Sequence, residues 1–376
     1  RGRLEMPSSF GQMLRVTVFG QSHSPAIGCV VEGLPSGIVV DQDALAAFMA
    51  RRAPGQGSWT TPRREEDRPH IVSGLNVHGA TCGAPLAAII ENTNTRSGDY
   101  DNLLKVPRPG HADLTAWEKW HGNQDVPGGG HFSGRLTAPL CVAGGIALQA
   151  LAARGVRIGA HLLSVANVED ERFDALDNSP AAQAHLAEQL DMLASGPRFP
   201  TIDADAGTRM LAAIDDARRS LDSVGGVIEC VACGMPAGAG SPMFDGIENM
   251  LARAAFGIPA VKGIEFGRGF EAARLHGSEN NDPYEMRDGV PTPKTNNAGG
   301  ILGGITTGAP VLFRIALKPT SSIAREQDSV DLESGTNAKL SVHGRHDPCV
   351  ATRAVPVAEA VCALVLFDAL LSYPAE

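Results

Sequence analysis

Three short motifs in the first half of the 376-residue chain return in the second half in the same order. The pairs are residues 31–37 (VEGLPSG) with 232–238 (ACGMPAG), 49–53 (MARRA) with 251–255 (LARAA), and 81–86 (TCGAPL) with 306–311 (TTGAPV). Chance recurrence of small turn motifs is the alternative explanation. Because the order and the first spacing agree, we predict an internal duplication inside a single domain over 10–372, with halves at about 13–100 and 226–322 related by a pseudo-twofold axis.

Local patterns predict the strands and helices around this repeat. Apolar and β-branched runs predict strands at 14–18, 28–31, 81–90 and 227–233. Helices are predicted from Asp41, a plausible N-cap, and over 136–153, 181–195 and 205–220. The stretch 92–135, rich in Gly, Pro, His and Arg, is expected to be irregular and functional, and 277–299 to be an inserted loop. One sheet and its helices from each half would pack as sheet, helices and sheet around a shared core.

Charge and hydropathy argue against several classes of protein. The net charge is −10, and a general nucleic-acid binder needs a basic face. Residues 355–371 are the most apolar stretch, but Glu359 and Asp368 interrupt them, which predicts a buried or interface helix rather than a membrane span. The first 12 residues lack the apolar stretch of a signal peptide, so we expect a cytoplasmic protein.

Cys230 and Cys233 form a C-x-x-C within a predicted strand. Positions i and i+3 of a strand point to opposite faces, so two core thiols are expected rather than a metal or redox pair. No grouping of His, Cys and Asp has convincing metal-ligand spacing, so no metal is expected.

Six polar segments could contribute to a functional site, and each alone also has an ordinary structural interpretation. A loop histidine can be structural, a Pro-Gly or glycine turn can be only a turn, an arginine run can form surface ion pairs, and Asp347 or Thr352 can cap the last helix. The segments are 20–24 (GQSHS), the arginines between 51 and 68, 108–113 (RPGHAD), 128–135 (GGGHFSGR), 317–322 (LKPTSS) and 344–353 (GRHDPCVATR). Together they suit a ligand with phosphate and carboxylate groups, combined with acid–base chemistry.

These segments resemble the chorismate synthase family, and the match runs from Phe10 to about Leu371. The most specific motifs are RPGHAD at 108–113, NAGGILGGIT at 297–306, KPTSS at 318–322 and GRHDPCVATRAVPVAEA at 344–360. The resemblance implies an α+β sandwich in which two antiparallel sheets flank a helical layer. It also implies a lyase of the shikimate pathway, in aromatic amino acid biosynthesis, which converts 5-enolpyruvylshikimate 3-phosphate to chorismate by 1,4-elimination of phosphate. The reaction would require reduced FMN although it involves no net redox change. The enzyme would be a homotetramer.

The resemblance further implies roles for individual residues. His23 would protonate the departing phosphate, His111 would protonate reduced flavin, and Asp347 with Ser22 and Ser133 would form a relay near flavin N5. The substrate-binding arginines would be Arg52, Arg108, Arg135 and Arg345. The flavin contacts would be His131, Phe132, Ser133, Ala260, Gly303, Lys318, Pro319, Thr320, Ser321, Ser322 and Arg345.

The sequence departs from the family pattern at several positions. GQSHS stands where GESHG is usual, and HFSGR stands where RSSAR is usual, so His131 replaces a charged flavin contact and Phe132 replaces a hydroxyl. Ser58 replaces an arginine of the basic loop, and Pro259 replaces an asparagine at a flavin contact. Candidates to compensate for Ser58 are Arg51, Arg63 and Arg64. Because both histidines, the aspartate and both serines are kept, we expect a functional enzyme with an altered FMN pocket.

Two other classes stay open at this point. One is a catalytically weakened relative that binds a phosphorylated ligand or flavin, which the losses at 58 and 131 would favour. The other is a flavin reductase that depends on NADPH, although the sequence shows no separate dinucleotide fingerprint. Anaerobic turnover with and without NADPH would discriminate between them.

Overall fold

The computed structural model describes residues 8–55, 57, 59–61, 67–93, 102–195, 199–342 and 346–374. The first sheet has five antiparallel strands in the order β1-β2-β3-β5-β4. The strands are β1 Ser9–Phe10, β2 Arg15–Phe19, β3 Ala26–Glu32, β4 His70–Ser73 and β5 Leu86–Glu91. Helix α1, Gln42–Arg52, connects β3 to β4, and the side chain of Asp41 caps it by accepting from the amides of Asp43 and Ala44.

The second sheet repeats this plan with the order β7-β6-β8-β14-β9, again antiparallel throughout. Its strands are β6 Arg157–Val165, β7 Val168–Glu169, β8 Gly226–Cys233, β9 Val261–Phe266 and β14 Val311–Leu317. Helix α6, Ile247–Ala255, connects β8 to β9 as α1 connects β3 to β4. The two strand orders therefore coincide when β3, β4 and β5 are matched to β8, β9 and β14.

A threonine turn recurs at the same place in both halves. Thr81 Oγ1 donates to the carbonyl of Pro35 at 2.6 Å and accepts from the amide of Ile38 at 2.9 Å. Thr306 Oγ1 donates to the carbonyl of Pro236 at 2.7 Å and accepts from the amide of Ala239 at 2.9 Å. The repeated motifs thus form the same local structure, which supports the predicted duplication; the predicted limits of the domain and its halves stay a prediction.

Two buried helices fill the layer between the sheets. They are α3, Thr137–Ala152, and α8, Ala351–Ser372. Gly144 of α3 faces Ala360 of α8 so closely that a Cβ at Gly144 would lie 2.3 Å from the Ala360 Cβ. Helix α8 and the segment Gly134–Ala152, which contains α3, are long and apolar enough to span a membrane, but most of their residues are buried inside the molecule, as predicted for the apolar stretch 355–371. The predicted α+β sandwich is confirmed.

The two halves differ in the helices that pack on the outer faces of their sheets. Helix α4, Pro180–Ala194, packs on the outer face of the second sheet, where Leu190 and Leu193 meet Val231, and α5, Ala204–Arg219, lies against β6 and β7. The outer face of the first sheet, with Val30 and Ile89 half-buried, has no comparable helix among the described residues. The thiols in β8 lie on opposite faces, as predicted: Cys230 belongs to the central core, and Cys233 packs under α4.

Three local predictions were wrong. The stretch 92–135 contains a helix, α2 Asp113–Trp120, which the sequence hides because Ala116 is its only buried residue. The insertion at 277–299 is structured, with α7 Gly277–Asn280 and the hairpin of β10 Tyr284–Arg287 and β11 Val290–Pro293. The strand predicted at 81–90 starts at Leu86, because residues 81–85 belong to the threonine turn. Two further hairpins complete the fold: β12 Ile301–Leu302 with β13 Ile305–Thr306, and β15 Gln327–Asp331 with β16 Thr336–Leu340.

Candidate active site

A cavity of about 470 Å³ lies at one end of the helical layer. The C-terminal end of α1 and the segment after α6 border it, and so do the N-terminal ends of α3 and α8. Two buried helices thus direct their partly positive ends toward one space, which favours an anionic ligand. The predicted site residues that line it are Ser22, Arg52, Arg108, His111, His131, Phe132, Ser133, Arg135, Ala260, Lys318, Pro319, Thr320, Ser321, Ser322 and Asp347.

Two of the cavity arginines share one buried carboxylate. Asp67, whose side chain is fully buried, pairs through one oxygen with Arg52 Nη1 and through the other with Arg135 Nη1. Arg52 Nε also donates to Thr137 Oγ1 at 3.0 Å, at the first residue of α3. Arg135 Nε donates to Asn92 Oδ1 at 3.0 Å. Both guanidinium groups are therefore fixed from behind while they line the cavity.

The charged groups around Asp67 shift one another's pKa values. Burial alone would raise the pKa of Asp67, but Arg52, Arg135 and Arg353 hold it below its usual range. Burial lowers the pKa of Arg52. Asp67 acts to raise this pKa, whereas the nearby Arg353 and Arg135 lower it further. The cluster keeps an excess of positive charge in a partly desolvated space, where an anion is attracted strongly.

The RPGHAD segment forms a compact turn on another part of the wall. Asp113 Oδ2 accepts from Arg108 Nε at 2.7 Å, and Asp113 Oδ1 accepts from Arg108 Nη2 at 2.8 Å. His111 Nδ1 lies 2.5 Å from Asp113 Oδ1. Arg108 Nη1 donates to Ser322 Oγ at 3.0 Å and so joins this turn to the KPTSS segment. Burial would raise the pKa of Asp113, but its hydrogen bonds with Arg108 and His111 hold it well below its usual range.

The glycine loop before α3 is shaped for close approach. Gly128, Gly129 and Gly130 all have positive φ, at 64°, 84° and 52°. A Cβ at Gly128 would lie 2.4 Å from Ser22 Oγ and 2.7 Å from the His23 ring, so the loop packs directly on the GQSHS segment. Ser133 Oγ donates to Ser22 Oγ at 3.3 Å. The structure thereby places His23 next to the cavity wall, although it lies behind Gly128.

The departures from the family pattern have local structural roles. His131 Nδ1 lies 3.0 Å from the Gly20 carbonyl, and its Nε2 lies 3.1 Å from Ser8 Oγ, so both ring nitrogens are engaged by the chain. Ser24 Oγ accepts from the amide of Gln21 at 2.9 Å and closes the turn of the GQSHS loop. The Phe132 ring lines the cavity and packs against Trp120, with centroids 5.8 Å apart.

Asp347 lies in the wall next to α8 without a direct bond to the two serines of the predicted relay. Its Oδ1 accepts from the Thr61 amide at 2.8 Å, and its Oδ2 accepts from Arg353 Nη1 at 2.7 Å. Among the described residues it does not cap α8, whose N-cap Val350 has no side-chain cap, so the alternative of a capping Asp347 or Thr352 was wrong. Ser22, Ser133 and Asp347 share the cavity but form two separate groups.

The KPTSS segment supplies a cation and a buried hydroxyl group to the cavity. Lys318 Nζ donates to the Gly110 carbonyl, and partial burial together with Lys262 lowers its pKa. Thr320 Oγ1 is buried and has no hydrogen-bond partner among the described residues, although Thr320 lines the cavity. A buried hydroxyl without a partner is costly, which indicates a polar ligand atom at this position.

Some predicted residues are not brought together, and others were missed. Gly303 is exposed in the turn between β12 and β13, outside the cavity, so its predicted flavin contact has no support within one chain. Arg345, Ser58, Arg63 and Arg64 lie outside the described residues. The sequence reasoning missed Asp67, Asp113, Arg353 and the apolar wall at 256–259. The only available signal for Asp113 was its place in RPGHAD, and for Asp67 its place among the loop arginines.

Comparisons with known proteins identify the family of this chain. The sequence model of the family described as chorismate synthase matches residues 14–371. A chorismate synthase of Lancefieldella parvula is 52% identical over 99% of this chain and 98% of that protein. One of Korarchaeum cryptofilum is 43% identical over 96% of this chain and 97% of that protein. A crystal structure of chorismate synthase aligns with a TM-score of 0.71 at 25% identity, covering 96% of this chain and 93% of the other. The chain belongs to the chorismate synthase family.

Proposed function

We propose that this cavity binds 5-enolpyruvylshikimate 3-phosphate together with reduced FMN and eliminates phosphate to give chorismate. Family membership makes the chain a lyase of the shikimate pathway. The observation that carries the proposal for this cavity is the convergence of Arg52, Arg108 and Arg135, all at most 5% exposed, with the His111 side chain in one space. Such a space suits a substrate that carries both phosphate and carboxylate groups.

Over the whole elimination, the C–O bond to phosphate and one ring C–H bond break. Phosphate leaves with the C–O electron pair, the hydrogen leaves as a proton, and the electrons of the C–H bond end in the second ring double bond. The departing phosphate gains negative charge as its bond to carbon breaks. Arginines already held in place by Asp67 and Asp113 stabilise that charge without having to reorganise, and the N-terminal ends of α3 and α8 act in the same direction.

Two histidines would serve proton transfer. His23 would donate a proton to the leaving phosphate, and its closeness to Gly128 in the cavity wall supports this role. His111 would accept and release a proton at Nε2. A Cβ at Gly129 would lie 3.3 Å from this nitrogen, so the glycine at that position leaves space beside it. A positioned general acid contributes about 10²–10⁴-fold to rate.

The residues present fit FMN. The cavity volume of about 470 Å³ lies within the range of about 300–1,000 Å³ typical of small-molecule sites. Lys318, the unpartnered Thr320 hydroxyl and Ser321 offer a charge and donors for a phosphate, whereas Phe132 and Ala260 offer apolar surface for a ring system. We infer that these residues, with His131, Ser133, Pro319 and Ser322, hold the cofactor. Reduced FMN would supply an electron transiently, with no net oxidation.

The departures support a functional enzyme with a modified flavin pocket. His131 is engaged by Gly20 and Ser8, so the charge that the family arginine would bring is replaced by a side chain that holds two loops together. Lys318 and Lys262 remain as cations of the cavity wall. Retention of His23, His111, Asp347, Ser22 and Ser133 favours catalysis over a pure binding function.

We further propose that the enzyme is cytoplasmic and assembles as a homotetramer. The outer face of the first sheet supports self-association, because Phe19 and Val72 are 39% and 54% exposed there while the second sheet is covered by α4. Sedimentation velocity of the full chain tests the tetramer, and a monomer at micromolar concentration would contradict it.

The test of function is anaerobic turnover of 5-enolpyruvylshikimate 3-phosphate with dithionite-reduced FMN, following chorismate and released phosphate together. We expect equal amounts of the two products, and a rate at least about tenfold lower in His111→Ala. Replacing dithionite with NADPH in a parallel assay shows whether the chain reduces its own flavin. Binding of FMN or substrate with no chorismate formed would place the chain among binding modules instead.

A further inference from the structure

We infer that Asp113 is the residue that positions His111 and Arg108 for the reaction, by fixing the ring proton of His111 on Nδ1. The inference rests on the proposed role of His111 in proton transfer. It starts from the hydrogen bonds of Asp113, whose side chain is only 9% exposed and contacts the cavity-lining residues Arg108 and His111.

Four donors converge on the two carboxylate oxygens of Asp113. Oδ2 accepts from the Arg108 amide at 3.0 Å and from Arg108 Nε at 2.7 Å. Oδ1 accepts from Arg108 Nη2 at 2.8 Å and has His111 Nδ1 at 2.5 Å. An ionised carboxylate offers about four acceptor positions and no donor, so this set of partners uses it fully.

The contact with His111 defines the tautomer. An unprotonated Nδ1 would direct its lone pair at a carboxylate oxygen 2.5 Å away, which is strongly unfavourable. A proton on Nδ1 converts the same contact into a charge-assisted hydrogen bond. Arg108 Nη2 also lies 3.1 Å from this Nδ1, but the contact with the Asp113 carboxylate is much shorter, at 2.5 Å, and therefore decides the position of the ring proton. Nε2 is therefore the ring nitrogen at which His111 can accept and release a proton, and it lies next to Gly129.

Asp113 also sets the direction of Arg108. With Nε and Nη2 held by the carboxylate, Nη1 extends to Ser322 Oγ at 3.0 Å. One carboxylate thus aligns a substrate-binding arginine, a proton-transfer histidine and, through Ser322, the KPTSS segment. An asparagine at 113 has the same shape, but in either orientation its amide would face donors of Arg108 or His111.

The first measurement is the ¹⁵N ring spectrum of His111 in the full-length wild-type protein without flavin or substrate, assigned by its loss in His111→Ala. We expect the neutral ring to carry its proton on Nδ1, and we expect Asp113→Asn to populate the Nε2-protonated form. A wild-type ring protonated on Nε2 would overturn the inference even if Asp113→Asn failed to fold. A wrong assignment of the reaction would leave this spectrum unchanged, so the two failures are distinguishable.

The second measurement separates kcat from KM. Asp113→Asn should lower kcat by about 10- to 100-fold through His111 and raise KM through Arg108. In a His111→Ala background it should change kcat less than about twofold, because the group through which it acts is gone. A matched control is Asp282→Asn, which removes a half-buried carboxylate bonded to Thr295 and the amide of Asn297, away from the cavity. An equal loss of kcat in both backgrounds would show that Asp113 only holds the turn.

Discussion

Replacing Asp67 with asparagine tests whether the cavity arginines are as desolvated as the structure shows. The Asp67 side chain is fully buried, and its partners Arg52 and Arg135 have side chains that are only 2% and 4% exposed. Asparagine has nearly the same volume but no charge, so the substitution removes the buried negative charge that Asp67 presents to both guanidinium groups. A third cation, Arg353, is close enough to lower the pKa of Asp67 and adds to the repulsion.

The expected loss follows from the cost of an unpaired buried charge. Removing one partner of a buried ion pair costs about 3–5 kcal/mol, whereas a surface pair contributes about 0–1 kcal/mol. Because Asp67 serves two arginines and neither is more than 4% exposed, we expect Asp67→Asn to lower the free energy of unfolding by about 3–5 kcal/mol.

The assay is denaturant unfolding followed by circular dichroism, with and without inorganic phosphate. The control is Asp328→Asn, since Asp328 is 87% exposed and pairs with the exposed Lys339, and it should change stability by less than about 1 kcal/mol. Phosphate should stabilise Asp67→Asn more than the wild type, because an anion bound near Arg52 and Arg135 supplies the missing charge. A loss in Asp67→Asn no larger than in the control would refute the reasoning.

Two further predictions concern the glycine loop and a buried histidine. Gly128→Ala should lower kcat at least about tenfold with little change in FMN affinity, because the added Cβ would lie 2.4 Å from Ser22 Oγ. The kinetic control is Gly335→Ala, since Gly335 also has a positive φ but its added Cβ would have no atom within 4 Å. Burial would lower the pKa of His161, but hydrogen bonds to two buried carboxylates raise it above 6.5. The protonated His161 therefore stabilises the fold fully below pH 6.5, and this stabilisation is lost as the pH rises through the raised pKa. The free energy of unfolding should fall over that pH range, and it should fall less steeply in His161→Gln.

The sequence predicted the parts of the site that local turns define. RPGHAD and KPTSS are short segments whose Pro and Gly residues restrict the backbone, and the structure places both on the cavity wall. The glycine loop at 128–130 likewise has the positive φ values that only glycine adopts easily. In these segments the chemistry and the conformation are encoded by the same few residues.

The sequence could not predict that Asp67 of the basic loop would be buried. Glu65, Glu66 and Asp67 are adjacent, and nothing in their order distinguishes them before the chain folds. Asp67 is selected by a partner 68 residues away, Arg135, and by its own left-handed backbone at φ 49°. Helix α2 was missed for a related reason, since a segment with one buried residue carries almost no periodic signal.

The duplication explains the frame of the site but not its chemistry. The motif pair 49–53 and 251–255 places Arg52 opposite Ala254, so only one of two equivalent helix ends carries the arginine that lines the cavity. The segment after α6 contributes Phe256 and Ile258 instead. Two similar halves thus enclose a cavity with a cationic wall near α1 and a largely apolar wall after α6. The proposed substrate, rich in anionic groups, and the proposed flavin, with its apolar ring system, would require such unlike walls, which a strictly symmetric pair could not provide.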